Sequence, residues 1–502
     1  MSGSPPPPQD ASLVRRGQFH IGTHPPDFLR HWPSVPIDNE LTLSHHPELG
    51  VVQVSNHEVK ITLVGYIIDA EHPEDNDRDI LERLLRTDPT FRDPFQATKP
   101  LGGRWVMTVS RSGHTILFTD PAGLRQVFYA VLNEGKKIQC ASEAGCLAMA
   151  CGLAPDPVAE EFRTTTRFGA DPESWWPGDK TNFSEIKRLL PNFFLDLQSG
   201  ESTRFWPAEP GEHRKKGEII DFLAWKLPLV MDAFFKRGRV MVSLTAGHDS
   251  RPVLAACRAA KDRFRLITVR QQGMSEAHPD VAIPCQLAKI IGMEHDILLC
   301  DGVQVRESFR KAYQDSIADF HEKWLPDEQL IHDTYQQRCM ITVGSVADFG
   351  RMSYEKPLPP RRHVTPEKLA YAGGFDPHPF AIDALSTWLR SIPDFSNFDI
   401  GDLYHWEVRT GRWLAMSQLE FGTVWQEIFC PFNNREIIEW MLSASDRYRC
   451  APYRLHKSFI AALWPELMSQ PFNPHKPYPK PYIVRRAKSI ARKARNAVFG
   501  RK

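Results

Sequence analysis

The sequence predicts a two-domain α/β protein whose first domain contains a largely antiparallel sheet and whose second domain contains a parallel sheet. A chain of 502 residues is too long for one small hydrophobic core. Short strand-like runs are separated by turn residues in the first half, whereas strands and helices alternate in the second half. Such alternation is typical of a parallel sheet with helices on both faces. A charged, proline-bearing segment at 206–217 is the predicted linker.

The composition is that of a globular protein without a strong overall charge. Hydrophobic residues make up 42% and charged residues 25% of the chain, and the formal net charge is +1, so we expect no nucleic-acid partner. The chain lacks an apolar run of the about 20 residues that cross a bilayer, so we expect no transmembrane segment. The nine cysteines are scattered and include no Cys-x-x-Cys pair. This pattern favours reduced thiols in a cytoplasmic protein and predicts no zinc site.

The predicted first domain covers residues 17–205. It follows a proline-rich lead at 1–16 that we expect to be disordered, because the lead has little apolar surface to bury. Residues 17–22 are expected to supply the first strand, and residues 79–86 predict a helix. Further apolar runs predict strands at 59–68, 105–109, 115–119 and 126–132.

The predicted second domain covers residues 218–482. Helices are predicted at 219–237, 281–291 and 454–463, and strands at 240–244, 264–269 and 340–343. Residues 483–502 are basic, with small apolar residues at helical spacing. They predict a solvated C-terminal helix or tail, and contact with an anionic membrane surface or with nucleic acid is the alternative.

The turn after the strand at 240–244 has the composition of an anion-binding loop. Its small residues let backbone N–H groups approach an anion closely, and they are Thr245, Ala246, Gly247 and Ser250. A predicted helix begins at the end of this turn, and N–H groups at a helix start favour negative charge. Asp249 within the turn would repel phosphate unless a divalent cation lay between them, which indicates a Mg²⁺–nucleotide ligand. An ordinary strand–helix turn that binds nothing is the alternative.

Segments along most of the chain resemble the asparagine synthetase family of ATP pyrophosphatases. Residues 245–250, Thr-Ala-Gly-His-Asp-Ser, are similar to the family's Ser-Gly-Gly-x-Asp-Ser pyrophosphate loop. Residues 343–350, Val-Gly-Ser-Val-Ala-Asp-Phe-Gly, stand where the family has a second phosphate and metal loop. Residues 431–434, Pro-Phe-Asn-Asn, and Lys457 are similar to its Pro-Phe-Leu-Asp segment and active-site lysine. In the first half, the family's amidotransferase-like domain is similar to residues 101–104, 120–129 and 141–143.

The resemblance implies both a fold and an activity. The implied fold is an Ntn-amidotransferase-like layered α/β domain followed by a doubly wound parallel-sheet ATP pyrophosphatase domain. The implied enzyme is an ATP- and Mg²⁺-dependent carbon–nitrogen ligase. It would adenylate a small-molecule or peptide carboxylate and form an amide with ammonia or a substrate amine, releasing AMP and pyrophosphate. The alternatives are asparagine synthase itself, with aspartate as substrate, and a non-catalytic nucleotide-binding or scaffold descendant. A homodimer is left open.

The resemblance also implies site residues. Those implied for ATP and pyrophosphate are Leu244, Thr245, Ala246, Gly247, Asp249, Ser250, Val269 and Gly344. Those implied for Mg²⁺ are Asp249 and Asp348. Those implied for catalysis are Lys457, Tyr354 and Glu355.

Several neighbouring residues keep two interpretations. Lys457 is otherwise a surface lysine on the predicted helix 454–463. His248 is a spacer or, less favoured, a catalytic base. Asp280 is a family aspartate or a helix N-cap. Arg251 contacts phosphate or faces solvent.

The chain departs from the family at the N-terminus and in the second loop. A glutamine-using member needs a cysteine directly after the initiator methionine, but this chain has Ser2 there, and its first cysteine is Cys140. We therefore expect no glutaminase activity. We also expect that residues 1–11 can be removed without loss of ligase activity. Ser345 and Phe349 stand where the family usually has acidic residues, which disfavours aspartate as the substrate.

Overall fold

The computed structural model describes residues 9–132, 137–170, 173–335, 337–352, 354 and 363–474. Within these residues the chain forms two antiparallel six-stranded sheets followed by one parallel five-stranded sheet. The predicted mixed α/β class, with antiparallel sheets first and a parallel sheet second, is therefore confirmed.

The two antiparallel sheets stack through the first half of the chain. Their strands are β1 Phe19–Gly22, β2 Ser34–Pro36, β3 Thr42–His45, β4 Val51–Ser55, β5 Val59–Asp69, β6 Leu101–Arg111, β7 His114–Thr119, β8 Phe128–Leu132, β9 Lys137–Ala141, β10 Ile186–Arg188, β11 Phe193–Asp196 and β12 Ser202–Arg204. One sheet has the order β10-β8-β9-β1-β3-β2 and the other β12-β11-β7-β6-β5-β4. Alternate residues of β5 belong to two different hydrophobic cores. Val64 and Tyr66 lie in one core, and Leu63 and Ile67 lie in the other. The second sheet is thus buried on both faces.

Short helices flank these sheets. They are α1 Asp77–Thr87, α2 Pro94–Ala97, α3 Ala144–Cys151 and α4 Pro157–Thr165. Helix α1 begins at Asn76, whose side chain accepts hydrogen bonds from two backbone N–H groups, while the Asp79 carboxylate accepts one from the Asn76 N–H. This capping box fixes the start of the predicted helix at 79–86.

The second half of the chain alternates helices with parallel strands. The strands are β13 Val240–Ser243, β14 Phe264–Arg270, β15 His295–Leu299, β16 Met340–Thr342 and β17 Ile428–Phe429. The first helices are α5 Lys216–Phe235, α6 Ser250–Ala256, α7 Pro279–Ile291, α8 Glu307–Gln314 and α9 Leu325–Thr334. They are followed by α10 Pro366–Ala372, α11 Pro379–Arg390, α12 Ile400–Leu403, a π-helical stretch Tyr404–Leu414, α13 Ala415–Phe421, α14 Arg435–Leu442, α15 Asp446–Arg449 and α16 Arg454–Leu463.

The strand order of the parallel sheet determines where a ligand site can form. The order is β15-β14-β13-β16-β17, so the chain runs outward in one direction from β13 and then in the other from β16. The loops after these two strands leave the sheet on opposite sides of a topological switch point. In open parallel sheets the ligand crevice lies at the carboxyl ends of the strands at such a point.

Four of the segments that resemble the asparagine synthetase family join the two halves of the molecule. The Asn433 amide donates to Asp120 Oδ1 and to the Gly103 carbonyl, both at 2.8 Å, and its oxygen accepts from the Ala122 N–H at 2.9 Å. The buried Glu143 carboxylate accepts from the Ala318 N–H at 3.1 Å. These side chains serve the contact between the sheets, which gives the segments a structural role.

The prediction of a disordered lead at 1–16 is wrong for residues 9–16. Residues Gln9–Leu13 form a 3₁₀ helix, and Asp10 is 4% exposed. Asp10 accepts hydrogen bonds from the Arg306 guanidinium at 3.0 Å and from Ser308 Oγ at 2.6 Å, while Leu13 fills an apolar cluster of the second half. Partners far along the chain order this segment, and local composition does not reveal them. Residues 1–8 and the basic segment 483–502 lie outside the described residues.

The structure also describes the cysteines and the length and polarity of the helices. All nine cysteines lie in the described part of the chain and are free thiols. Across that same part, every helix is too short or too polar to cross a bilayer.

Candidate functional site

The loops that follow β13 and β16 meet at the switch point of the parallel sheet. Gly344 packs directly against the peptide bond between Asp249 and Ser250. A Cβ atom at position 344 would stand 2.5 Å from the Ser250 nitrogen and would also clash with the Asp249 carbonyl. Glycine is therefore required for the two loops to touch. The resemblance assigned Gly344 to nucleotide contact, whereas in this structure its close neighbour is the first loop.

The first loop is braced by its own side chains and by Asp280. Ser250 Oγ accepts from the Thr245 N–H at 3.1 Å, and Thr245 Oγ1 accepts from the Gly247 N–H at 3.1 Å. Asp280 Oδ1 accepts from the Ala246 N–H at 2.9 Å. These N–H groups, expected from the sequence to be unpaired, therefore have partners, because the loop's hydroxyls and a distant carboxylate reach them. Helix α7 is capped by His278, so the N-cap interpretation of Asp280 is wrong.

Asp249 and Asp348, which we call the acidic pair, lie close enough for the charge of Asp348 to raise the pKa of Asp249. Arg351 Nη2 donates to Asp249 Oδ2 at 2.7 Å. His405 Nε2 donates to Asp348 Oδ2 at 2.6 Å. The side chains of the pair are 35% and 22% exposed, so a solute can reach both.

The two carboxyls differ in their protonation. Burial raises the pKa of Asp249 to about 6. The guanidinium of Arg351 lowers this pKa, and the negative charge of Asp348 raises it. Burial opposes the ionisation of Asp348 as well, but the charge and hydrogen bond of His405 outweigh it and hold the pKa of Asp348 well below its ordinary value. Asp348 is therefore the first of the pair to ionise.

Residues 467–473, which we call the covering segment, lie against the first loop. Arg251 is fully buried and donates to the carbonyls of Leu467 and Gln470, at 3.2 and 2.8 Å, and to that of Ala246 at 3.3 Å. Its guanidinium also lies 3.8 Å from the Phe472 ring centroid. Neither sequence interpretation of Arg251, a phosphate contact or a solvent-facing side chain, matches this position.

His248 is a packing residue in this arrangement. Its ring stacks on Phe472 at 4.7 Å and meets Tyr453 edge-on at 4.9 Å. Burial, followed by the charge of Arg351, lowers the pKa of His248 to about 2. A ring that holds a proton so weakly is a poor general base near neutral pH, which favours the spacer interpretation.

The three predicted catalytic residues are placed differently. Lys457 lies on α16 with Nζ 5.3 Å from the Phe472 ring centroid, and its charge helps to lower the pKa of His248. The Tyr354 ring contacts the rings of Tyr404 and His405, at 5.2 and 5.9 Å. Burial raises the pKa of Tyr354 to about 12. Glu355 lies outside the described residues.

An apolar cavity of about 280 Å³ opens beside these loops at the strand ends. Val269, implied for adenosine contact, lines it, as do the loop residue Ser345 and three tryptophans, Trp324, Trp413 and Trp425. Apolar walls with a few polar groups are typical of small-molecule sites. Leu244, the other residue implied for adenosine, is fully buried in the core and is not among the residues that line this cavity.

Sequence reasoning missed three residues of the site. Arg351 follows Asp348 by only three positions, so a charge search of that loop would have found it. His405 reaches Asp348 from the π-helical stretch. His456 Nε2 donates to the Ala347 carbonyl at 2.8 Å and so fixes the second loop. The two histidines had no sequence signal, because they meet the loop only through the fold.

The acidic pair fits Mg²⁺ in its chemistry. Carboxylate oxygens suit this ion, which commonly takes one or two protein carboxylates and completes its shell with phosphate and water. Asp249 Oδ1 is buried and finds no hydrogen-bond donor among the described residues. A dedicated protein cage is absent there, since the described residues include no group of three or more His, Cys, Asp or Glu suited to a metal.

Together the fold and the site define a mixed α/β protein with an apolar cavity at the carboxyl edge of its parallel sheet. No family model and no curated protein matches the chain. Among solved structures, the chain is similar to glutamine phosphoribosylpyrophosphate (PRPP) amidotransferase from B. subtilis complexed with ADP and GMP, at 10% identity over 68% of this chain and 72% of that chain, with a TM-score of 0.23. It is also similar to the allosteric regulatory enzyme of purine biosynthesis, at 11% identity over 61% and 74% of the two chains, with a TM-score of 0.25. Scores of this size carry no argument about activity.

Proposed function

We propose that the protein is an ATP- and Mg²⁺-dependent, AMP-forming carbon–nitrogen ligase. It activates a carboxylate as an acyl-adenylate and transfers the acyl group to ammonia or to an amine carried by a substrate. The observation that carries the proposal is the meeting of two loops at the switch point, where Gly344 contacts the Asp249–Ser250 peptide and the acidic pair comes together beside an apolar cavity. Both loops had been singled out from the sequence alone.

The proposed reaction has two steps. A substrate carboxylate oxygen attacks the α-phosphorus of ATP, the bond to the bridging oxygen breaks, and pyrophosphate leaves. The amine nitrogen then attacks the acyl carbon, the carbon–oxygen bond to AMP breaks, and the nitrogen loses its proton. Both leaving groups are anions, so nearby cations lower the barriers by stabilising the departing charge. Arg351 and Lys457 are the cationic side chains near the two loops that suit this task.

The acidic pair would hold Mg²⁺ against the triphosphate. When bound there, the ion would supply positive charge that shields the phosphates. The hydroxyls of Thr245 and Ser250, now bonded to each other at 3.0 Å, would turn toward pyrophosphate. Val269 and the cavity beside it would take the nucleobase.

We propose that free ammonia, or an amine on the substrate itself, is the nitrogen source.

The proposal is tested first by nucleotide binding and then by product analysis. Calorimetry should detect MgATP binding to the wild type, and Asp249→Asn and Asp348→Asn should each weaken it roughly ten-fold or more, because each removes a charged metal ligand. Asp262→Asn, at an exposed position away from the loops, is the matched control and should bind as the wild type does.

Product analysis uses a panel of carboxylates with ammonia, followed by chromatography of the nucleotides. AMP and pyrophosphate are the expected products. ADP as the main product, or MgATP binding that both variants retain, would rule out the proposed chemistry.

A non-catalytic descendant is the second candidate, and specific observations favour it. The N–H groups of Thr245, Ala246 and Gly247 have internal partners, and Arg351 already neutralises Asp249. A scaffold of this kind would bind nucleotide weakly or not at all. The calorimetric experiment separates a scaffold from the ligase, because only the ligase requires MgATP to displace these internal contacts. Product analysis separates the ligase from a descendant that binds nucleotide without turning it over.

A further inference from the structure

Arg351 is the guanidinium bound directly to Asp249 of the acidic pair, while His405 is bound to Asp348. Arg351 Nη2 donates to Asp249 Oδ2 at 2.7 Å, and the guanidinium side chain is 21% exposed. Burial alone would lower the pKa of Arg351, but the carboxylates of Asp249 and Asp348 raise it. The guanidinium thus occupies one oxygen of Asp249 through a direct hydrogen bond.

The backbone and the side-chain surroundings hold Arg351 in this position. The Arg351 N–H donates to the Asp348 carbonyl at 2.9 Å, and the Arg351 carbonyl accepts from the Arg449 guanidinium at 3.4 Å. The guanidinium also lies 5.3 Å from the ring centroid of Tyr453. The side chain is therefore part of the built site.

A divalent cation and this guanidinium would compete for the same oxygens. Arginine stays protonated at any ordinary pH, so it can release Asp249 only by moving away. A triphosphate offers the guanidinium a planar, bidentate alternative to the carboxylate. Nucleotide binding can therefore draw Arg351 away from Asp249 and free the carboxylate for the metal.

We infer that Arg351 is a built-in counter-cation that excludes divalent metal from the acidic pair until phosphate groups attract the guanidinium. Metal binding then depends on nucleotide, and the same side chain passes from the carboxylate to the phosphates. The attraction by ATP rests on the proposed function, whereas the exclusion of bare metal does not.

The exclusion is tested with Mn²⁺ as a paramagnetic stand-in for Mg²⁺, in the absence of nucleotide. Electron paramagnetic resonance measures free Mn²⁺ during titration of the full chain. Wild type should bind Mn²⁺ weakly, and Arg351→Gln should bind it roughly ten-fold or more tightly, because a charged hydrogen-bond partner of Asp249 is gone. Adding Asp249→Asn to that variant should abolish the gain. Arg390→Gln, at an exposed position, is the control.

A second variant keeps the test decisive if Arg351→Gln does not fold. Arg351→Lys keeps the charge but not the fork of donors, so its affinity for Mn²⁺ should rise roughly two- to five-fold. Folding is checked by thermal unfolding, which Mn²⁺ should shift upward in Arg351→Gln more than in the wild type. Affinities equal to that of the wild type in every folded variant would overturn the inference.

The nucleotide arm separates this inference from the proposed function. Adding ATP should increase protein-bound Mn²⁺ in the wild type more than in Arg351→Gln, since that variant has no guanidinium to displace. If ATP does not bind but Arg351→Gln gains bare Mn²⁺, the exclusion stands and the ligase proposal fails. If ATP binds but no variant gains Mn²⁺, the inference alone fails.

Discussion

Gly344 shows how a single missing side chain joins two loops. Its φ angle is not in the left-handed region, so the requirement for glycine comes from space alone. The Asp249–Ser250 peptide occupies the position that a Cβ would take. Contact between the two loops is thus set by backbone against backbone, which tolerates less adjustment than contact between side chains.

We predict that Gly344→Ala separates the loops. The added methyl group should lower the free energy of unfolding by about 1–3 kcal/mol, as overpacking does, and should weaken MgATP binding. Gly217→Ala is the matched control, because a Cβ there meets nothing within 4 Å and position 217 lies in α5. That change should stabilise the protein by about 0.5–1 kcal/mol. Equal stability of the two variants, with unchanged nucleotide binding, would contradict this account.

The covering segment is not a strand of any of the three sheets, so other contacts hold it in place. Arg251 at the first turn of α6 holds it by donating to several of its carbonyls, and the Asn473 N–H donates to the Ala246 carbonyl at 3.0 Å. A guanidinium suits this task because its donors are fixed in a plane and point in several directions. Arg251 therefore makes several of the contacts that hold the segment on the loop.

We predict that Arg251→Lys loosens this segment. Lysine keeps the charge but reaches fewer carbonyls, so the free energy of unfolding should fall by about 1–3 kcal/mol. Hydrogen exchange at 467–473 should become faster. Arg258→Lys is the control, since Arg258 donates to the Leu463 carbonyl from a half-exposed position. Similar exchange in both variants would show that Arg251 does not hold the segment.

Regular elements followed from the sequence wherever local pattern decides them. The helix predicted at 454–463 is α16, and the strands predicted at 59–68 and 264–269 are β5 and β14 to within a residue or two. Strands β15 and β17 were missed. β15 is a half-exposed edge strand without regular alternation, and β17 has two residues that become a strand only by pairing with β16.

The candidate site also combines residues that the sequence predicts with properties that depend on the fold. Asp249 was predicted from its place in a small-residue loop after an apolar strand, whereas Asp348 was implied by the resemblance to the asparagine synthetase family. Burial raises the pKa of Asp249, whereas His405 lowers that of Asp348. Both effects are properties of tertiary contact. The internal partners of the loop N–H groups were unpredictable for the same reason, since Asp280 lies 34 positions from Ala246.

On the scale of the whole molecule, the start of the chain ties the two halves together. Asp10 bonds to Arg306 and Ser308, and the Arg15 N–H donates to Ser316 Oγ at 2.7 Å. Gln18, just before β1, donates to the Ser316 carbonyl at 2.7 Å. The first antiparallel sheet is therefore anchored beside the helices of the second half.

We predict that Asp10→Ala weakens this anchor by about 1–3 kcal/mol of unfolding free energy at neutral pH. Burial opposes ionisation of Asp10, but Arg306 and Ser308 lower its pKa below the ordinary value. The difference from wild type should thus be full above the unfolded pKa of about 3.9 and should vanish as the pH falls through the lower folded value. Asp27→Ala, at an exposed carboxylate, is the control for urea unfolding. A difference that persists at the lowest pH would contradict the ionic origin.

The anchor at Asp10 also constrains the order of events during synthesis. Asp10 and Ser308 are 298 positions apart, so at about 5–20 residues per second the ribosome needs about 15–60 s to deliver the partner. Throughout that interval Leu13 lacks the later members of its apolar cluster, among them Phe309, Ala312 and Tyr313. In a nascent chain that stalls before residue 306, the apolar surface around Leu13 would stay exposed to chaperones and proteases before the rest of the protein is synthesised.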